Sequence, residues 1–307
     1  MKIIPSSVPY AANLLTAIVR YNTPAIGGGD DHRSREWLTH MTDTAPWGRY
    51  AELRPADLDR IVAAAPIAYV PWGALEWHGP HLPFGLEGIA AEALAERVVQ
   101  RTGGVLLPPT WWAITTLPHR FSLSIQSEVI QALWDGVFAE LARAGFHMVV
   151  VISGHYAEGH ELVLIDAAEH AMAQHGLLVL AIPPLALVDE TMLDHAAHWE
   201  TALMLALRPK LVDLTALAPA PLDPSTSAVL GADPRRATAG QGESALKLAT
   251  ERIAVGVQSL MQHGGPSVLR ELYARRRASY QAYVDRYFRG SWEEAIAMWW
   301  GEKRVKS

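Results

Sequence analysis

The chain has 307 residues, enough for one large α/β domain or two modest ones with a substantial buried core. A net charge of −6 with scattered basic residues leaves no nucleic-acid footprint, and zero cysteines exclude disulfides, thiolate metal ligands and cysteine nucleophiles. The longest apolar run, Leu177 to Val188, is interrupted by Pro183-Pro184 and falls short of the roughly 18–20 residues that span a bilayer.

At the N-terminus, Pro5, Ser6, Ser7 and Asn13 break what would be the apolar core of a signal peptide, so the chain reads as cytoplasmic. Residues 1–48 read as an arm or lid, with Gly27-Gly-Gly-Asp30-Asp31-His32 as a solvated loop inside it. From Pro55 the pattern becomes regular. Pro55 to Ala64 predicts a helix with proline near its start, and Ile67 to Ala74 a buried strand. Glu87 to Arg101 predicts a helix ended by Thr102-Gly-Gly, followed by a strand over Val105 to Thr110. Ser127 to Ala144 repeats apolar residues at helical spacing, and Met148 to Ile152 is a continuous β-branched run typical of a strand covered on both faces. Gly159 to Gln174 predicts a helix and Leu177 to Ile182 another buried strand, and His195 to Leu207 and Glu243 to Met261 complete the helices.

This alternation implies a single α/β domain over residues 49–264, in three layers with a mostly parallel, doubly wound central sheet. Residues 265–307 form a helical, aromatic-rich extension (Tyr273, Tyr280, Tyr283, Tyr287, Trp292, Trp299, Trp300), read as a docking or oligomer element. In sheets of this type ligands sit beyond the carboxyl ends of the strands. Three clusters fall at such places. Glu76 and His78 follow the first strand two residues apart, so in an extended chain they leave one face as adjacent metal ligands would. Glu87 opens the next helix, where the dipole favours a carboxylate. The second cluster, Ser153-Gly-His155-Tyr156-Ala157-Glu158, follows the Met148–Ile152 run, and the third is Asp194-His195-Ala-Ala-His198-Trp199-Glu200-Thr201. Carboxylate and imidazole together suit Zn²⁺ or Mn²⁺.

Gly73-Ala-Leu-Glu76-Trp-His78-Gly-Pro-His81-Leu-Pro, then Ser153-Gly-His155-Tyr156, then His195-Ala-Ala-His-Trp-Glu200-Thr201 resemble, in order and separation, the motifs of the creatininase (creatinine amidohydrolase) family. The resemblance covers about residues 50–260. It implies a homohexameric hydrolase with two zinc or manganese ions per chain, Glu76 and His155 on one, His78 on the other, and Glu87 bridging where the family has aspartate. Creatininase proper has a metal-binding Glu directly after His-Tyr; here that position is Ala157, which leaves Glu158 or Glu200 to complete the second site.

The implied chemistry is attack by a metal-activated water on a small cyclic amide or related C–N bond. His195 is the expected acid for the leaving atom, with His198 as understudy and Glu200 beside it in the catalytic set. Tyr156 and Trp199 are expected substrate contacts, and Arg120 a grip for a carboxylate or polyol oxygen. The family's Pro-Gly-Thr reads Pro118-His119-Arg120 here, which makes creatinine itself an unlikely substrate. Two alternatives stand beside this reading: a hydrolase that opens a cyclic keto-inositol, and a metal-depleted relative that binds a ligand without catalysis.

Overall fold

The computed structural model describes residues 45–281 and Asp285. Among these residues five strands form one sheet: β1 (Trp47–Arg49), β2 (Ile67–Trp72), β3 (Gly104–Leu106), β4 (Met148–Ser153) and β5 (Leu178–Ile182). Their order is β1-β3-β2-β4-β5, and every pairing is parallel. β2 and β4 lie at the centre in register from Ile67 opposite Met148 to Trp72 opposite Ser153, and all six residues of each are buried. That is why these strands read as continuous apolar runs, since helices cover both faces of a parallel sheet.

The main helices are α1 (Pro55–Ala64), α2 (Leu86–Thr102), α3 (Ser127–Arg143), α4 (Glu158–His175), α5 (His198–Leu207), α6 (Ala239–His263) and α7 (Pro266–Ser279). α2, α5 and α6 pack together, and α3 packs with α4, so the sheet lies inside a three-layer sandwich. Among the described residues no helix is long and apolar enough to cross a membrane.

The differences from the predicted elements have local causes. β2 stops at Trp72 because Gly73 turns away to donate to the Thr110 carbonyl at 3.0 Å, starting the loop that carries Glu76. β3 is only Gly104–Leu106, with Thr110 reaching β2 through an isolated bridge to Trp72. α5 starts at His198, whereas His195 pairs in an isolated antiparallel bridge with Leu230. Trp47–Arg49 is a strand that composition did not signal; it pairs with β3 along one sheet edge. The Asp30-Asp31-His32 loop and the aromatic residues from Tyr283 onward lie outside the described residues.

The chain passes from β2 to β3 on one side and then returns to β4 on the other, so the sheet's direction of winding reverses between β2 and β4. Crevices of doubly wound sheets open at that point. Two glycines let the start of α2 enter it. A side chain on Gly73 would meet the Gly88 backbone nitrogen at 2.1 Å, and one on Gly154 would meet the Glu87 carbonyl oxygen at 2.2 Å. Glu87 is thereby wedged between the ends of β2 and β4.

Candidate metal centre

Glu76, His78, Glu87, His155 and Glu200 are all almost fully buried. Glu87 divides its two oxygens. Oε2 accepts from the Ala74 backbone N–H at 2.9 Å, whereas Oε1 lies 2.8 Å from His155 Nδ1 and 3.6 Å from His78 Nε2. One carboxylate oxygen therefore sits between two imidazoles. Glu76 is oriented by the Leu117 N–H, which donates to Oε1 at 2.5 Å, and its Oε2 stands 3.0 Å from His155 Nδ1. Glu200 Oε2 accepts from Ala196 N–H at 2.5 Å and lies 3.5 Å from His78 Nε2. Ala196 reaches that position with a positive φ of 49°, a strained turn of the kind that collects at functional sites.

Backbone carbonyls set the imidazoles. His78 Nδ1 donates to the Glu76 carbonyl at 3.0 Å and His155 Nε2 to that of Ile114 at 2.9 Å, which aims the other nitrogen of each ring at the carboxylates. His195 Nε2 donates to the Trp77 carbonyl at 3.0 Å, leaving Nδ1 unprotonated, and its ring stacks on His78 at 4.3 Å. Glu76, His78, Glu87 and His195 each bring one ligand atom within 4.8 Å of the others. The sequence gives His195 the role of an acid; the structure also places it within this cluster.

Burial lowers the pKa of His155, but the charges of Glu87 and Glu76 more than offset it, so the pKa rises well above the ordinary value. His78 is raised in the same way by Glu200 and Glu87. For Glu87 burial acts upward, and the two imidazoles outweigh it to hold the carboxyl far below the usual range. Burial and the neighbouring His78 lower His195, so it is neutral at neutral pH and an acceptor at Nδ1.

Tyr156 follows His155 and is partly buried; burial, then the charges of Glu200, Glu87 and Asp194, push its hydroxyl well above the ordinary value. Trp199 packs, half-buried, against the main core, and its ring meets that of His198 edge-on. Arg120 is exposed with its guanidinium 4.4 Å above the Phe121 ring, outside the carboxylate–imidazole cluster. Glu158 opens α4 on the side where its charge acts on Tyr280, while Glu200 is the carboxylate beside His78.

Two supporting residues have no role assigned by the sequence alone. Asp194 accepts from the Trp199 and Glu200 N–H groups at 2.7 and 3.2 Å, and burial, with the Glu200 charge, pushes its pKa up to about 8. His160 presses edge-on against the His155 ring at 4.7 Å and lies 3.9 Å from the Trp72 ring. Asp194 stands inside the third cluster, so its position was a signal; His160 lies in a helix and carried none.

The cluster fits a cation. Three carboxylates converge where water does not reach, and His78 Nε2 is buried without a hydrogen-bond partner, its nearest carboxylate oxygens 3.5 and 3.6 Å away. Such atoms are costly unless something else satisfies them.

The family model described as Creatininase: Creatinine amidohydrolase matches residues 51–256. The chain belongs to the creatininase family. It is 25% identical over 237 residues to the creatinine amidohydrolase of Pseudomonas putida, covering 65% of this chain and 91% of that protein. Among solved structures, the manganese form of a creatininase superposes with a TM-score of 0.60 at 23% identity, covering 68% of this chain and 97% of that one. A Zn-Zn form of a creatininase mutant gives 0.61 at 22% identity, over 68% and 96%. These two likenesses establish the creatininase-like α/β fold. Membership of the family supports a hydrolase, with a buried His/Glu group able to hold metal.

Proposed function

We propose that this creatininase-family chain is a two-metal hydrolase that cleaves a C–N bond in a small cyclic amide. The observation that carries the reading is Glu87 Oε1, which faces both His155 Nδ1 and His78 Nε2 while Oε2 is held by backbone. In this reading Glu76, Glu87 and His155 hold one zinc or manganese ion, and His78, Glu87 and Glu200 the other. Glu200 then supplies the carboxylate that Ala157 lacks. Bound there, the ions supply Lewis acidity toward a carbonyl and a water of lowered pKa.

The protein's own residues do the rest. His195, neutral and fixed by the Trp77 carbonyl, accepts a proton at Nδ1 and returns it to the leaving nitrogen. An imidazole with a lowered pKa suits that order better than one that begins as an acid. Asp194 and the Ala196 N–H hold Glu200 in place, and Tyr156 and Trp199 orient the substrate. The chain acts in the cytoplasm as a homohexamer on a small-molecule substrate.

Glu87→Gln keeps the size of the side chain and removes its charge. It should lower zinc affinity by more than about 100-fold, since ligand loss exceeds the 10–100-fold cost of outer residues. The wild-type enzyme, screened with lactams, formamides and keto-inositols, should hydrolyse a lactam in a metal-dependent way that the variant loses. Cleavage of keto-inositols alone would move the substrate to a ring ketone. Full activity and metal content in Glu87→Gln would overturn the site.

A further inference from the structure

Arg276 lies on α7, beyond residue 256 where the family match ends, yet it is 4% exposed. Its guanidinium makes a two-pronged contact with Glu161, Nε to Oε1 at 2.6 Å and Nη2 to Oε2 at 2.7 Å. The third nitrogen, Nη1, reaches Glu190 Oε1 at 2.7 Å. Tyr280, one turn later, donates to Glu161 Oε2 at 2.6 Å, and its ring lies 5.0 Å from the guanidinium. A planar fork is the group that can bind one carboxylate along an edge and keep a donor for a second.

The two carboxylates belong to different parts of the candidate site. Glu161 is in the first turn of α4, next to His160, whose ring contacts His155. Glu190 opens the short 3-10 turn Glu190–Met192 that leads into Asp194 and His195. One side chain from outside the family core therefore ties the His155 segment to the His195 segment. We propose that Arg276 is a positioning residue that sets the spacing of these two segments, and with it metal affinity. The proposal rests on the two-metal reading for its effect on affinity, but not for its effect on the two segments themselves.

Arg276→Met leaves the buried Glu161 carboxylate without its cation, a change severe enough to block folding, so gentler variants are the test. Arg276→Lys keeps the charge and loses the fork. Glu190→Gln breaks only the link to the His195 segment, at a side chain 39% exposed. Arg97→Gln, which removes the exposed Arg97–Glu243 fork, is the control. Backbone hydrogen exchange on the metal-free proteins should quicken by about tenfold at residues 154–161 in Arg276→Lys and at 190–196 in both variants, with the control unchanged. Zinc affinity, by titration of the same folded proteins, should fall about tenfold in both. A structural ion pair alone would lower the melting temperature and leave both readouts at wild-type values, which would overturn the proposal. If wild-type protein binds no zinc, the hydrolase reading fails, and the exchange data decide on Arg276 by themselves.

Discussion

Three buried carboxylates, Glu76, Glu87 and Glu200, converge on His78 and His155, and the charge balance at this point governs how the protein responds to pH. Without metal, His78 and His155 have pKa values raised above the unfolded value of about 6.5. Their contribution to stability is then fully present below about pH 6.5 and is lost as pH rises through the folded values. Asp194, raised from 3.8 to about 8, acts in the same direction across that interval. The metal-free protein should therefore melt at lower temperature at pH 9 than at pH 6. Metal binding displaces the imidazole protons, so zinc affinity should rise over the same range. Thermal melts with and without zinc check both trends; a metal-free protein that gains stability toward pH 9 contradicts them. Most of this cluster was legible in the sequence, because strand-end position and ligand chemistry pick out Glu76, His78, Glu87 and His155. For the second site the sequence offers both Glu158 and Glu200 beside His78; the choice of Glu200 depends on a turn at Ala196 that brings a distant segment back.

At the scale of elements, β5 is the last strand of the sheet among the described residues, and α7 covers part of its outer edge. The Tyr273 hydroxyl accepts from the Ala181 N–H at 3.1 Å and donates to the Val179 carbonyl, in place of a neighbouring strand. Tyr273→Phe leaves two buried backbone groups without partners, which should cost about 1–3 kcal/mol in denaturant unfolding. No change in stability would mean that the edge finds other partners. The central strands could be read because β2 and β4 are buried on both faces and so run continuously apolar, and helices such as α3 because their apolar residues recur at helical spacing. β1 could not, because a three-residue edge strand has no period; its place comes from pairing with β3, from Trp47 packing on the core and from the Arg49 ion pairs to Glu92 and Glu96 on α2.

At the scale of the whole molecule, the reversal of winding between β2 and β4 brings three separate segments to one crevice. Gly73 and Gly154 admit the start of α2 there, and α7 secures the two later segments from outside the family-matched core. The alternation of strands and helices predicted this crevice, but nothing in it predicted that Arg276 would help to hold it. If the buried carboxylates are held by ions, metal analysis of the purified wild-type chain is the most direct test. About two zinc or manganese ions per chain are expected, bound at separate but adjacent sites. Less than about half an equivalent, after exposure to both metals, would contradict the two-metal reading.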